Sequence, residues 1–291
     1  MKYGSRGAER AKKMASTAEN QLEVWGSPID HSLSPTLHRA AYGVLKLPWT
    51  YERREVSEKN LSQVWNERSD LLRGLSLTMP LKAKILERVE KRLDLVEHAR
   101  VANTVFRSGG DFVLANTDVF GLQKTLDFHK VEASEAWIFG AGATARAAGL
   151  AMARSGVEKV TLFARNPTKS VETFEIMTSV GLEVNMRLFS DFVAVETPDL
   201  VVSTLPSGSG ANWDIPQRVR ASAVFFDVNY DPWPSPLASH WAECDQLVIS
   251  GLRMLAFQAI AQIRLFVNED VETPLPEEGA VLSAMFDSVH L

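Results

Sequence analysis

Short β-rich runs alternate with longer amphipathic stretches along most of this chain, and that alternation restricts the fold more than any other feature. Such a pattern describes strands joined by helical crossovers, an α/β protein with a mostly parallel sheet. LEVWG (22–26), WTYERREV (49–56) and LRGLSLT (72–78) read as strands. Between the first two, Ser34-Pro35 reads as an N-cap followed by proline at the first helical position, opening a helix to about Leu45. Ser57 begins a second helix that runs to about Asp70.

A change of texture follows. VANTVFR (101–107) and DFVLANT (111–117) flank Ser108-Gly109-Gly110 and read as a β-hairpin with a glycine turn. After Asp118 a helix crosses to AWIFG (136–140), where a second α/β series starts. Its further strands are expected at VTLFA (160–164), EVNMRLF (183–189), LVVSTL (200–205), AVFFDV (223–228) and QLVIS (246–250). A last helix, 252–267, has apolar residues at three- and four-residue spacing. The chain therefore divides near residue 119, and two such halves are expected to meet in a cleft suited to a small molecule.

Composition narrows the class. With 291 residues, 45% hydrophobic and 23% charged, there is length for one large or two medium domains. A net charge of −5 gives no support for nucleic-acid or anionic-membrane binding. The single cysteine, Cys244, cannot form an intrachain disulfide and sits in no motif, so packing or surface is its expected role. No apolar run approaches the roughly 20 residues of a bilayer span. Residues 1–20 are basic and rich in small residues without the apolar centre of a secretory signal; they read as a flexible leader, with Met14 an alternative start. The cytoplasm is the expected location. Six scattered histidines lack ligand spacing, so no metal is expected, and His38 reads as structural.

WIFGAGATARAA carries the first chemical signal. Gly140 permits a tight turn, and Gly142, lacking a Cβ, lets a pyrophosphate reach backbone amides at a helix N-terminus. Ala145 fills the third small position of the Rossmann fingerprint. In an NAD site an acid usually ends the second strand; here TLFARNPTK supplies Arg165 and Lys169 instead. Two cations suit a ribose 2′-phosphate, so NADP(H) is expected over NAD(H). The bland reading of this segment is a solvated basic loop.

The first half gathers small polar groups at predicted strand ends and turns: Ser32, Ser34, Thr78, Lys82, Asn103, Asn116, Thr117 and Asp118. Singly, serines cap helices, Asn-Thr ends strands, and a lysine such as Lys82 points into water. Together, ahead of a nucleotide fold, they suit a polyhydroxylated substrate.

GSPIDHSLSPTLH, LTMPLK, VANTVFR, ANTDVFGL, GAGATARA, DVNYDPWPSPL and GLRMLAFQA, in this order, resemble the shikimate dehydrogenase family over about residues 22 to 268. The resemblance implies an N-terminal substrate-binding and catalytic domain (21–118 with 252–291) and a C-terminal Rossmann-like NADP-binding domain (119–251), the final helices returning to the first. It implies NADPH-dependent reduction of 3-dehydroshikimate to shikimate; the sequence leaves monomer and homodimer both open. By position, Ser32 and Ser34 would bind the substrate carboxylate, with Tyr230 at the same end. Thr78, Lys82, Asn103, Asp118 and Gln258 would surround the ring, Lys82 and Asp118 being catalytic. Gly140, Gly142, Ala143, Arg165 and Lys169 would hold phosphates and ribose; Thr204, Gly251 and Met254 would lie by the nicotinamide. The chain departs from the family pattern at Arg39, Ser76, Ala143 and the residues around Arg165, which bears on fine specificity.

Hydride transfer to a ketone builds negative charge on oxygen, and a lysine there can stabilise and protonate it. A carboxylate raises the lysine pKa while desolvation lowers it, so the sequence leaves the proton carrier open between Lys82 and Asp118. A quinate/shikimate dehydrogenase with NAD or mixed cofactor use would employ the same residues; a non-catalytic NADP-binding regulatory protein has Lys82 and Asp118 against it, and an unrelated two-domain dehydrogenase would leave the Ser-x-Ser segment without a purpose.

Overall fold

A computed structural model of the chain describes residues 20–194 and 196–291. The expected leader lies, up to residue 19, outside the described residues. The chain forms two compact units: one runs to Thr117 and is completed by Gln258–Leu291, and the other comprises Asp118–Phe257. Among the described residues no helix is long and apolar enough to cross a membrane.

The first unit begins with β1 (Gln21–Gly26), α1 (Ser34–Leu45), β2 (Thr50–Glu55), α2 (Leu61–Asn66) and β3 (Leu72–Leu77). Next come α3 (Leu81–Lys84), a 3-10 turn, β4 (Lys91–Arg92), α4 (Asp94–Ala99), and the hairpin strands β5 (Thr104–Ser108) and β6 (Asp111–Ala115). The sheet order is β2-β1-β3-β5-β6-β4. Parallel pairs β1–β2 and β1–β3 give way to antiparallel β3–β5 and β5–β6, so the sheet is mixed. The expected hairpin is present, with Ser108 opposite Asp111 across Gly109-Gly110.

Two expectations for this unit need correction. The helix expected over 57–70 shrinks to α2, because the Asn60 carboxamide oxygen accepts from the Ser57 amide (2.7 Å) and hydroxyl (3.0 Å), holding that segment as a turn. Ser34 does not cap α1: Leu33 occupies the cap position, Ser34 already lies inside the first turn, and it is the Ser32 hydroxyl that accepts from the Ser34 amide (3.3 Å). α3, β4 and α4, unassigned from sequence, are too short for their periodicity to be read.

The second unit contains α5 (Asp118–His129), β7 (Glu135–Phe139), α6 (Ala143–Arg154), β8 (Lys159–Phe163), α7 (Pro167–Ser179) and β9 (Glu183–Arg187). It continues with β10 (Leu200–Ser203), α8 (Gln217–Arg220), β11 (Val224–Asp227), α9 (Pro236–Ala242) and β12 (Val248–Ser250). α10 (Gly251–Asn268) and α11 (Glu278–Asp287) close the chain. The sheet order β12-β11-β10-β7-β8-β9 is parallel throughout, the Rossmann order with its switch point between β7 and β10. Strands covered on both faces read as continuous apolar runs, as LVVS and VFFD do. One face packs an aromatic core of Trp137, Phe139, Phe163, Phe192, Phe225 and Trp241.

Alternation along β3 organises the first unit. Leu75 and Leu77 face a core with Trp25, Trp65 and Leu114, while Gly74 and Ser76 face the residues of α10 that belong to this unit. At Gly74 the missing side chain admits the Phe266 ring, which a Cβ there would strike. On the same side His38 is fully buried, stacked on Tyr51 at 4.0 Å between centroids, with Nδ1 3.1 Å from the Tyr42 hydroxyl and Nε2 3.3 Å from Gln262 Oε1.

Burial pushes the His38 pKa down from 6.5 to about 3, the Gln262 hydrogen bond opposing it. Because the folded value lies below the unfolded one, the unfolded chain takes up the proton first on acidification. This contribution to stability is complete above about pH 6.5 and is lost as pH falls toward 3. Urea unfolding at a series of pH values should show wild-type stability falling faster than that of His38→Gln between those limits, by up to about 1.4 kcal/mol per pH unit. Parallel pH profiles would refute a neutral buried imidazole.

Candidate active site

In the first unit the candidate residues sit where strands end. Ser32 and Ser34, both buried, lie in the turn after β1 and at the start of α1. Arg53 on β2 fixes that turn by donating twice to the Ser32 carbonyl, from Nε at 2.9 Å and Nη2 at 2.6 Å. Ser34 also neighbours the Tyr51 hydroxyl and opposes the upward push of burial on its pKa. Thr78 follows β3; its amide donates to the Trp25 carbonyl (2.9 Å) and its carbonyl accepts from Leu81 (2.8 Å), turning the chain into α3. Lys82 is half-buried on α3, and its carbonyl accepts from the Ala102 amide at 2.8 Å. That bond ties the lysine's backbone to the segment carrying Asn103.

Asn103 is the hub of a buried cluster. Its Oδ1 accepts from the Thr117 amide (2.7 Å) and the Thr104 hydroxyl (2.8 Å). Its Nδ2 donates to Thr117 Oγ1 (2.9 Å) and to Gln258 Oε1 (3.2 Å). The structure therefore gathers Asn103 from just before β5, Thr117 from just after β6, and Gln258 from α10. Asn116, also among the small polar groups, instead donates to the Val101 carbonyl at 3.2 Å. Asp118 opens α5 in the second unit and is buried there.

The second unit builds its candidate site at the switch point. Gly140 has φ 99°, a left-handed geometry that costs little only for glycine, and a Cβ there would come within 2.7 Å of Thr204 Oγ1. Thr204 in turn donates its amide (2.8 Å) and hydroxyl (2.9 Å) to the Phe139 carbonyl, so the loops after β7 and β10 lie side by side. Gly142 caps α6 and Ala143 is its first residue; a side chain at 142 would stand in open space. Space over a 12-residue helix's N-terminal amides is what a pyrophosphate needs. Arg165 and Lys169 are exposed beside the end of β8, and neither forms an ion pair among the described residues. The Lys169 amide donates to the Asn166 carboxamide (3.2 Å), the cap of α7. These features fit a phosphorylated dinucleotide. Met254 is buried, Tyr230 half-buried, and the Gly251 amide donates to the Asn229 carbonyl at 3.0 Å.

Two groups of supporting residues escape a reading of the sequence. Asp227 is almost fully buried at the end of β11 and accepts from the Ser235 hydroxyl (2.6 Å), the Asn229 amide (3.1 Å) and Asn229 Nδ2 (2.8 Å). Desolvation holds its pKa above the ordinary carboxylate value against those hydrogen bonds. Asn229 Nδ2 also reaches the Leu205 carbonyl (2.9 Å), joining the loops after β10 and β11. The available signal was a carboxylate at the end of an apolar run, AVFFDV. The second group is Tyr51, Ser76, Thr104 and Gln262, whose signal was a glutamine four residues beyond Gln258 on a helix with apolar neighbours.

Comparison with known proteins accords with this arrangement. Residues 24–105 match the shikimate dehydrogenase substrate binding domain. The curated shikimate dehydrogenase (NADP(+)) of Methanothermobacter thermautotrophicus is 28% identical over 265 residues, 88% of this chain and 94% of that protein. The crystal structure of Mycobacterium tuberculosis shikimate dehydrogenase shares 35% identity with a TM-score of 0.80, covering 92% of this chain and 99% of the other. A shikimate 5-dehydrogenase from Mycobacterium fortuitum shares 34% at a TM-score of 0.76, covering 92% and 98%. With identity at that level across nearly the full length of both chains, the protein belongs to the shikimate dehydrogenase family.

Proposed function

We propose that this protein catalyses the reversible, NADPH-dependent reduction of 3-dehydroshikimate to shikimate, a step toward the aromatic amino acids. The observation that carries the reading is the buried cluster in which Asn103, Thr117 and Gln258 meet from three separate segments, on a backbone tied to that of Lys82. Amide and hydroxyl groups held this way can pair with ring hydroxyls of a cyclohexene acid. The relatives' names supply the substrate and the cofactor.

NADPH, when bound, supplies the hydride. Lys82 is assigned to the substrate oxygen that gains charge, as hydrogen-bond donor and proton source, with Asp118 as the carboxylate that shares its proton handling. Ser32, Ser34 and Tyr230 are assigned to the carboxylate, Thr78, Asn103 and Gln258 to the ring. Gly140, Gly142 and Ala143 are assigned to the pyrophosphate, Arg165 and Lys169 to the 2′-phosphate, and Thr204, Gly251 and Met254 to the nicotinamide end. A single cysteine leaves the fold independent of an oxidising compartment, and the cytoplasm is the setting assigned, for a monomer or homodimer.

Shikimate oxidation with NADP⁺, followed by absorbance, tests the reading directly; absence of turnover would overturn it. Lys82→Ala should lower kcat by about 10²–10⁴-fold with little change in KM. Retention of most of the turnover would remove Lys82 from the chemistry. Replacing Arg165 and Lys169 together by alanine should raise the KM for NADP⁺ by about tenfold or more while leaving that for NAD⁺ within about twofold, because only the former loses charge-assisted bonds to a phosphate. Equal effects on both cofactors would return the two cations to the solvated loop.

A further inference from the structure

Gln262 is fully enclosed, and its amide fills every hydrogen-bonding position it has. Oε1 accepts from Ser76 Oγ at 2.6 Å and lies 3.3 Å from His38 Nε2. Nε2 donates to Thr104 Oγ1 at 3.0 Å and to the Asn103 carbonyl at 3.2 Å. A carbonyl can only accept, so the Asn103 contact fixes which end of the amide is which. His38 must then donate from Nε2, leaving Nδ1 to accept from the Tyr42 hydroxyl.

Two arms leave this amide. Along one, Ser76 Oγ receives the Tyr51 hydroxyl at 2.5 Å, and Ser34 is a close polar neighbour of that hydroxyl. The other is the direct bond to Asn103, reinforced where Thr104 Oγ1 donates to Asn103 Oδ1 at 2.8 Å. Both arms end on residues assigned above to the substrate, one to its carboxylate and one to its ring. Gln262 also stands one helical turn beyond Gln258 on the same face of α10, and Gln258 accepts from the Asn103 carboxamide.

We propose that Gln262 is a positioning residue for the substrate, setting Ser34 and Asn103 at a fixed separation through the buried chain Ser34–Tyr51–Ser76–Gln262–Asn103. The proposal rests on the shikimate reading of the same site. A core amide that merely satisfied its neighbours would support folding and leave substrate recognition unchanged.

The test is steady-state oxidation of shikimate by NADP⁺, with Tm and circular dichroism as folding controls. No turnover by the wild type would reject the proposed function, and the positioning role with it; the variants are informative about the role itself once the wild type is active. In Gln262→Leu the KM for shikimate should rise about tenfold while the KM for NADP⁺ stays within about twofold. Ser34→Ala should raise the shikimate KM in the wild-type background, and by at least about threefold less in the Gln262→Leu background, since coupled residues are not additive. Ser76→Ala, which cuts only one arm, should show the same coupling to Ser34→Ala and decides the matter if Gln262→Leu does not fold. A folded Gln262→Leu or Ser76→Ala with wild-type shikimate KM, an equal rise in both KM values, or strictly multiplicative effects with Ser34→Ala would overturn the positioning role.

Discussion

Parallel strands deliver their carboxyl ends to one edge of a sheet, and the cofactor site proposed above depends on that polarity. In the second unit the loops after β7, β8, β10 and β11 all emerge on one edge, and they carry Gly140, Arg165, Thr204 and Asn229 in turn. The order reverses between β7 and β10, so the loops on either side of that boundary can touch each other, as Gly140 and Thr204 do. Nothing about the individual residues creates that edge. Strand direction does, and helical crossovers fix strand direction.

The first unit solves a different problem, that of keeping polar groups in the interior. An unpaired buried amide or hydroxyl costs more than a made hydrogen bond returns, so a buried polar chain must be closed at every link. From His38 through Gln262 to Asn103 the groups are paired in directions that are mutually consistent. Such closure makes the geometry stiff: rotating one amide would orphan a donor at one end and an acceptor at the other. Stiffness of that kind suits the substrate site proposed above, whose ligand would be a small, rigid, hydroxylated ring.

Much of this could be read from the sequence, for identifiable reasons. The apolar runs AWIFG, LVVSTL and AVFFDV announced central parallel strands because burial on both faces leaves no polar alternation to confuse the pattern. The glycine loop was legible because strand, glycines and helix follow one another within a dozen residues. What failed was local competition. Asn60 pulled the Ser57 segment out of a helix, and a proline at the second helical position made Ser34 resemble a cap although Leu33 stands at that position. What stayed hidden was long-range pairing: Ser76 and Gln262 are 186 residues apart, and no local pattern links them. Asp227 likewise looked like an ordinary strand end until its partners Ser235 and Asn229 were in view.

The contact between Gly74 and Phe266 carries a consequence for how this sequence can change. A side chain at 74 has no room while the ring is in place, yet shrinking the ring alone leaves a void beneath β3. The two positions are therefore linked in order as well as in size. A path that enlarges residue 74 first meets a steric barrier, whereas one that first reduces residue 266 passes through a looser but still folded intermediate. Lineages sharing this packing should retain the glycine and the aromatic ring together or lose both, with the ring lost first.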